Sequence, residues 1–404
     1  MENKSVPVFG LPAGFWLAIG AGVALRLWYL SDLVQQPWFG YPLVDSLTFD
    51  RTAQQILAQG HPAAFFRPPL YPYFLAAVYA AAGRSFAVVA IVQSLLGLAA
   101  LYPAYRLGER WFGRAAALGG AWIGACYPLR IFFEGEVLDV TLFAFLLLWG
   151  LWTLWRGLEG GGPLTPLLSG LLLAAAAVTR PNVIVALPFA VLGAALAFWR
   201  RGGAVRPTAA AAWALGLVVG IAPTTIHNWR AEGAVIPVAA NGGVNFYLGN
   251  ERGADGVTPV PPGLRWEATM LRPVRAGQAS LAAQDRWWYA RAREEIVAAP
   301  GRWARLLGVK TGIFLGAPEP SNNKALAHFT AVSFPVRHYR WWWGALVCLG
   351  ALGCLEVRGR GPLFLAVFAA GYGASVVLFF VAERYRLPLV PLLAPAAAAG
   401  VLAL

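Results

Sequence analysis

The stretch that decides the fold is RAAALGGAWIGACYPLRIFFEGEVLDVTLFAFLLLWGLWTLWR, residues 114–156. It contains two apolar runs, near 114–132 and 137–156, separated by a short turn that carries Glu134 and Glu136. A helix needs about 20 mostly apolar residues to cross the hydrocarbon core of a bilayer. The stretch therefore predicts two helices that cross a membrane in opposite directions.

The rest of the chain repeats this pattern. Of its 404 residues, 58% are hydrophobic and only 13% are charged, against roughly 45–50% and about 25% in soluble domains. This composition excludes an ordinary soluble enzyme. Apolar runs lie near 13–30, 86–107, 114–132, 137–156, 164–179, 182–199, 207–226, 340–357, 362–381 and 387–404. We predict an all-α, polytopic integral membrane protein with ten transmembrane helices in a single domain, 1–404; a weaker run near 303–317 is an eleventh span or a surface helix.

The distribution of basic residues orients these spans. Short cytoplasmic loops carry an excess of Lys and Arg, and the basic residues that alternate with basic-poor turns are Arg106, Arg110, Arg114, Arg156, Arg200, Arg201, Arg206, Arg358 and Arg360. With these loops in the cytoplasm, we expect the outer face of a cell membrane, inner or plasma, to carry a first loop at 31–85 with surface helices, a long loop at 227–339, and the turns 130–136, 180–182 and 383–386. This parity requires that 303–317 does not cross.

The chain end and the overall charge add two expectations. The last run ends at Leu404 without a Lys, Arg or aromatic anchor, which favours a C-terminally truncated version of a longer protein. The 32 basic and 19 acidic residues give a net charge of +13, and this surplus indicates anionic lipid or phosphate partners. Nucleic acid is not an expected partner, because the arginines lie between apolar spans and form no continuous basic face.

The first outer loop contains a candidate catalytic carboxylate. Residues 46–59 have the apolar spacing of an amphipathic helix, with Asp45 directly before it and Gly60 directly after. Asp45 is therefore a helix N-cap or a functional group. A partly desolvated carboxylate at a membrane surface can act as a general base. Arg67, which precedes two prolines, can bind a phosphate through paired N–H groups or serve as an interfacial anchor.

The outer turns contain further charged candidates. Glu134, Glu136 and Asp139 follow one another in the turn between two spans, where they position an acceptor or form a solvated hairpin tip; we favour Glu136. Arg180 lies at a tight turn, where an unpaired charge would be costly, so we expect a carboxylate or a phosphate beside it. Two arginines of the last outer turn bind phosphate or anchor the helix end; they are Arg384 and Arg386.

The long outer loop opens at His227 and continues into a stretch rich in Gly and Asn. Amide side chains and bare backbone offer the donors and acceptors that a sugar requires, so His227, Asn245 and Tyr247 are candidate sugar- or acceptor-binding residues, although turn chemistry explains the same composition. Residues 280–299 predict a second amphipathic helix. Four histidines without an HxH or HExxH spacing argue against a zinc site.

Four motifs together resemble a known family. They are YPLVDSLTFDRTAQQILAQG (41–60), FRPPLYPYFLAAVY (66–79), TRPN (179–182) and ERYRLPLVPLL (383–393). In this order they resemble the GT-C membrane glycosyltransferases, in particular the dolichyl- or polyprenyl-phosphate-sugar-dependent group that includes protein O-mannosyltransferases and the aminoarabinose transferase of lipid A.

The resemblance implies a chemistry and its residues. Asp45 matches the aspartate that activates the acceptor, and Arg67 matches the basic residue that contacts the lipid phosphate. Many relatives have a second acid after the aspartate, but here Ser46 follows and Asp50 is the nearest further acid. Tyr71 falls in the second motif as a sugar or acceptor contact.

The resemblance also implies the partners and the outcome of the reaction. The expected partners are a polyprenyl-phosphate-sugar donor, membrane lipids and an acceptor hydroxyl on a protein, lipid or glycan, and the expected transfer inverts the anomeric carbon. No cofactor is certain, and a divalent cation held by Asp45 and Glu136 stays open.

Two alternatives use the same lipid-linked sugars. A transporter or flippase places ionisable groups near the bilayer midplane, whereas the charges here cluster at span ends, with Arg26 the deepest exception. A glycan ligase or polymerase would share the donor class and the outward-facing site.

Overall fold

The computed structural model describes residues 10–61, 63–199, 206–257, 263–321 and 323–404. Over these ranges the chain is built from helices without a β-strand, which confirms the predicted fold class. Arg200 and Arg201, which we assigned to a cytoplasmic loop, lie outside the described residues.

The helices follow the apolar and amphipathic segments of the sequence. In chain order they are α1 (Ala13–Leu33), α2 (Asp45–Gln59), α3 (Leu70–Ala82), α4 (Phe86–Ala99), α5 (Leu101–Phe112), α6 (Arg114–Cys126), α7 (Pro128–Glu134), α8 (Val140–Leu158), α9 (Leu164–Thr179), α10 (Val183–Trp199), α11 (Pro207–Glu232), α12 (Gly242–Asn250), α13 (Leu264–Arg275), α14 (Leu281–Ala298), α15 (Pro300–Leu315), α16 (Leu326–Phe329), α17 (Phe334–Arg337), α18 (Trp342–Glu356), α19 (Arg360–Val377), α20 (Glu383–Arg386) and α21 (Val390–Ala403). A short 3₁₀ helix, Leu387–Leu389, joins α20 to α21.

Six helical segments of the described chain are long and apolar enough to cross a membrane, and a seventh is obtained if the bent pair α6–α7 counts as one span. The six are α1, α4–α5, α8, α11, α19 and α20–α21. Four shorter apolar helices are α3, α9, α10 and α18. Every one of the ten predicted apolar runs is helical, but several are too short to be counted as spans by length alone. The protein is thus a multi-pass membrane protein.

The predicted run 114–132 is not one straight helix. It breaks between α6 and α7, whose axes differ by 49°. Pro128 opens α7 and Tyr127 has an extended backbone, with φ −64° and ψ 115°. A proline lacks the N–H that would continue the helix, and it disfavours the helical conformation of the preceding residue. The bend turns the chain so that α7 leads into the acidic turn.

An ion cluster holds this turn against the first span. Arg26 on α1 donates to both carboxylate oxygens of Glu134, at 2.6 and 2.9 Å, and Arg130 lies 3.9 Å from the same carboxylate. Gly97 on α4 leaves room for the cluster, since a Cβ there would collide with the Glu134 carboxylate. Glu134 is 1% exposed, so the predicted solvated hairpin tip is wrong for this residue.

The helices pack closely where glycines face each other. α9 packs along α11, α18 along α21, and α10 along α19. Gly353 on α18 meets the carbonyl of Ala396 and the amide of Gly400 on α21. Small residues permit this backbone approach, which is a main source of helix association in membranes. The crossing fixes α21 and, through the short 3₁₀ helix, the α20 turn that carries Arg384.

Candidate active site

Asp45 begins α2 at a sharp change of chain direction. Val44, the residue before it, has φ 52°, a conformation that β-branched residues rarely adopt and that is found at functional sites. The Asp45 side chain makes no capping hydrogen bond to α2, so the N-cap interpretation is wrong. Gly60 ends the helix at φ 72°, as expected of a residue after a helix end.

Asp45 is surrounded by donors from three distant parts of the chain. One carboxylate oxygen accepts from Arg67 at 2.5 Å, and the other accepts from Arg384 at 2.8 Å and from Asn323 at 3.0 Å. Burial raises the pKa of the Asp45 carboxyl, but Arg384, Arg67 and the Asn323 amide outweigh it and hold the pKa well below its usual range. The carboxylate is therefore charged and fully engaged.

Glu136 lies in the same assembly. Its carboxylate accepts from Lys324 at 2.8 Å, and Lys324 directly follows Asn323, the partner of Asp45. The two candidate catalytic carboxylates are thus held by consecutive residues of one segment. Both ends of the Glu136–Lys324 pair are largely buried, with side-chain exposures of 7% and 14%.

Arg180 and Arg384 are joined behind Asp45. Arg180 forms two hydrogen bonds to Asp139, at 2.5 and 2.9 Å, which supplies the anionic partner expected for this arginine. It also donates to the backbone carbonyl of Arg384 at 3.5 Å and lies over the ring of Tyr385. Arg180 therefore positions the Arg384 turn.

Tyr71 holds the acidic turn from α3. Its hydroxyl donates to the side-chain oxygen of Gln93 at 2.9 Å, and the Gln93 amide donates to the backbone carbonyls of Glu134 and Glu136 at 2.9 and 2.7 Å. Tyr71 is completely buried. Its position supports the Glu136 backbone.

Two predicted site residues have other partners. Asp50 accepts from Arg84 at 2.9 Å through both oxygens and from Tyr79 at 2.9 Å, none of which contacts Asp45. Arg386 donates to Glu319 at 3.1 Å and to the carbonyl of Pro318 at 2.9 Å. Both side chains are nearly inaccessible, so they brace the site from outside.

The candidates of the long loop lie in two other places. His227 donates through Nε2 to the carbonyl of Ala63 at 2.9 Å and stacks on Phe65. Asn245 and Tyr247 lie on α12, where the Tyr247 hydroxyl accepts from Arg272 at 3.1 Å. None of these contacts of His227 and Tyr247 involves Asp45 or Glu136.

Arg67 is one of the residues that line a groove between α2 and the segment that precedes α3. The groove has a volume of about 280 Å³. Most of its walls are apolar, including Phe49, Ile56, Phe65 and Phe66, and its polar lining residues besides Arg67 are Thr48, Thr52, Gln55 and His61. With a side-chain exposure of 28%, Arg67 is the most accessible of the three cations paired with Asp45 and Glu136.

The side chains around Asp45 and Glu136 do not fit a divalent cation. Cationic or amide side chains occupy both oxygens of Asp45 and the carboxylate of Glu136. Within the described ranges, no three His, Cys, Asp or Glu residues lie together as metal ligands do. The positive groups instead suit an anion.

Sequence reasoning missed Asn323 and Lys324. They lie in the polar stretch SNNK, and Lys324 is one of only three lysines in the chain. That rarity was the available signal. Their partners are distant in sequence, since Asn323 follows Asp45 by 278 positions, so no local pattern links them.

Comparisons with known proteins agree with the predicted resemblance. Residues 66–227 match the family described as dolichyl-phosphate-mannose-protein mannosyltransferase. No curated protein matches the sequence.

Solved structures share the fold over almost the whole chain. ArnT from Cupriavidus metallidurans bound to undecaprenyl phosphate is 12% identical, with a TM-score of 0.52 over 97% of this chain and 61% of its own. The Archaeoglobus fulgidus oligosaccharyltransferase in the apo form is 14% identical, with a TM-score of 0.53 over 97% and 50%. The archaeal oligosaccharyltransferase AglB from the same organism, in complex with an inhibitory peptide and a dolichol-phosphate, is 14% identical, with a TM-score of 0.51 over 96% and 50%.

The chain therefore has the fold of the GT-C membrane glycosyltransferases. It spans about half to three fifths of the length of these proteins.

Proposed function

We propose that the protein is a membrane glycosyltransferase that moves a sugar from a polyprenyl-phosphate donor to an acceptor hydroxyl on the outer face, with inversion. The observation that carries the proposal is the assembly around Asp45, in which Arg67, Asn323 and Arg384 converge on one carboxylate. A buried acid with two guanidiniums beside it provides both a base and a site for a phosphate.

Arg67 and Arg384 would bind the donor phosphate. Guanidinium groups bind phosphate through paired N–H donors, and the groove of about 280 Å³ that Arg67 lines offers largely apolar walls to the isoprenoid chain. The related structures of ArnT with undecaprenyl phosphate and of AglB with dolichol-phosphate support a ligand of this class.

Donor binding would also activate Asp45. Without a donor, the two arginines keep the Asp45 pKa low and its oxygens occupied, which makes it a weak base. A phosphate that draws Arg67 and Arg384 away leaves only the Asn323 amide to offset the burial of the Asp45 carboxyl, and burial raises the pKa. The pKa of Asp45 then moves toward the range in which proton transfer is efficient.

The transfer is a single displacement. Asp45 takes the proton of the acceptor hydroxyl while that oxygen attacks the anomeric carbon of the sugar. The bond from this carbon to the phosphate oxygen breaks, and its electron pair leaves with the lipid phosphate. Arg67 and Arg384 stabilise the charge that develops there, which is often the largest single contribution to catalysis. Glu136 would orient the acceptor, either after it separates from Lys324 or while still paired with it.

The segments assigned to the outer face all reach this site. Asp45 and Arg67 come from 31–85, Asn323 and Lys324 from 227–339, and Arg384 from the last turn. Their convergence supports a site between the two outer loops. A transporter is less well supported, because Arg26, the deepest arginine, is bound to Glu134.

The test is the substitution Asp45→Asn in the purified protein, supplied with defined polyprenyl-phosphate sugars. We expect release or transfer of the sugar to fall by roughly 100-fold or more, since general-base catalysis contributes about that much, while the protein remains folded. Asp255→Asn, at an exposed acid of the long loop, is the control and should retain activity. Full activity in Asp45→Asn would remove the proposed base.

A further inference from the structure

A second cleft lies in the long loop, away from Asp45. It has a volume of about 480 Å³ and is formed by α12, α13 and α14. Its lining consists of Tyr247, Arg272, Arg275, Ala276, Trp287, Arg291, Glu294 and Glu295. Small-molecule sites have volumes of roughly 300–1,000 Å³, so the cleft is large enough for a ligand such as one sugar with a substituent.

Aromatic rings and guanidiniums alternate along one side of the cleft. Arg272 lies 5.2 Å from the centroid of the Tyr247 ring and 5.5 Å from that of Trp288, and its side chain donates to the Tyr247 hydroxyl at 3.1 Å. Arg291 lies 5.2 Å from the centroid of the Trp287 ring. Stacking on the rings orients the Arg272 guanidinium without neutralising its charge.

The charges of the cleft do not cancel locally. Glu294 pairs with Arg291 at 2.7 Å, and Glu295 lies 3.7 Å from Arg252, outside the cleft lining. Within the described ranges, neither Arg272 nor Arg275 pairs with a carboxylate. Two guanidiniums are therefore available to an anion at the cleft.

We propose that this cleft binds a sugar that carries an anionic group, a phosphate or a carboxylate. Arg272 and Arg275 would hold the anion through their N–H donors, and the Trp287 ring offers an apolar surface to the sugar ring. The paired Glu294 and Arg291 supply acceptors and donors for hydroxyl groups. A simple anion would contact only the guanidiniums, whereas the aromatic wall suits a ligand that also has a sugar ring.

The cleft is rigidly connected to the segment that carries Arg384. α12 contributes Tyr247 to the cleft, and three residues later Asn250 donates to the carbonyl of Leu378 at 2.9 Å. Gly249 lies directly against the carbonyl of Phe379. That the bound sugar is part of the acceptor rests on the proposed function, whereas the binding itself does not depend on it.

Direct binding to the purified full chain in detergent tests the proposal. The probes are glucose 6-phosphate, glucuronic acid, glucose, glycerol 3-phosphate and inorganic phosphate, followed by calorimetry and by tryptophan fluorescence. We expect one or both anionic sugars to bind more tightly than glucose and than either non-sugar phosphate. Arg272→Ala and Arg275→Ala should each weaken this binding roughly tenfold or more, the usual effect of losing a charged hydrogen bond.

A matched control lies on the same helix. Arg265 is exposed on α13 and does not line the cleft, so Arg265→Ala removes the same charge and should leave binding unchanged. Because Arg272 packs on aromatic rings, the exposed Arg275 provides the variant that tests binding without a loss of packing.

Three results would overturn the proposal: no binding of either anionic sugar, equal binding by the three arginine variants, or equal affinity for glycerol 3-phosphate, which would indicate a lipid headgroup. Asp45→Asn should bind the sugars normally. A negative result in the binding experiment would therefore not contradict the proposed sugar transfer, and a negative result in the transfer experiment would not contradict sugar binding in this cleft.

Discussion

At the residue scale, Asp45 is an acid whose environment opposes its proposed role until a ligand arrives. Arg67, Arg384 and Asn323 together occupy the oxygens that must accept a proton. A base with such a low pKa transfers protons poorly near neutral pH. As the proposed base, Asp45 would therefore stay inactive until an anionic donor draws the arginines away.

If the arginines leave Asp45 for the donor phosphate, kcat/KM and kcat should have different pH profiles. In the free protein the Asp45 pKa is lowered, so the acid limb of kcat/KM should lie below about pH 3.9, where aspartate ordinarily titrates. In the donor complex the arginines face the phosphate and burial raises the pKa, so the acid limb of kcat should lie at higher pH. Steady-state kinetics across acidic pH will measure both limbs. Coincident limbs would contradict a change of partners.

Lys324 offers a second prediction at this scale. Lys324→Met leaves the buried Glu136 carboxylate without its cation, and we expect a loss of about 1–3 kcal/mol of stability. The double variant Lys324→Met, Glu136→Gln should recover much of that loss, because the carboxylate charge is removed with its partner. Thermal unfolding in detergent measures all three variants and the original protein. Additive effects would show that the two residues are uncoupled.

Local sequence identified the charged residues of the site but not all of their partners. The turns between spans indicate Glu136, Arg180 and Arg384, the amphipathic segment of the first outer loop indicates Asp45, and the prolines after it indicate Arg67; the structure brings all five together. Asp50 is the nearest further acid to Asp45 in sequence. Five residues along a helix correspond to a rotation of about 140°, so Asp50 points to Arg84 instead.

At the element scale, periodicity predicted the helices well and their breaks poorly. The predicted amphipathic segments 46–59 and 280–299 became Asp45–Gln59 and Leu281–Ala298. The bend between α6 and α7 was not predicted, because the hydrophobic run continues through it. The proline at 128 was the local sign, and hydropathy does not detect it.

Glycine contacts between helices give an element-scale prediction. Gly353→Ala places a methyl group against the α21 backbone, and we expect it to destabilise the protein by about 1–3 kcal/mol. Gly308 on α15 has open space at the same position, so Gly308→Ala should be neutral or stabilising by up to about 1 kcal/mol. The thermal midpoint should fall for Gly353→Ala and stay unchanged or rise for Gly308→Ala, and a Gly353→Ala midpoint at or above the original would argue against tight packing of α18 on α21.

At the scale of the whole molecule, the +13 charge divides into two sets of arginines. One set lies in short loops and is expected to orient the chain. The other includes Arg67 and Arg384, which pair with Asp45, and Arg180, which pairs with Asp139. Composition alone predicts the surplus, whereas the fold shows that these arginines are paired with carboxylates at one site.

The predicted orientation can be tested with reporters. A fluorescent protein fused after Gly202 should be fluorescent in the cytoplasm, because the basic loop at this position is expected to stay inside. A phosphatase fused after Gly253, in the long outer loop, should be active outside the membrane. Phosphatase activity at Gly202 would reverse the topology and with it the face on which the proposed transfer occurs.

The ion pairs of Asp45 also have a consequence for biosynthesis. Arg384 follows Asp45 by 339 positions, so this arginine leaves the ribosome long after the aspartate does. Until Asn323 and Arg384 are made, Arg67 is the only one of the three partners of Asp45 that the nascent protein contains. The site can therefore form only after the segment that carries Arg384 has been made. Two fragments divided in the 200–205 region and produced together should regain the arrangement only when both are inserted.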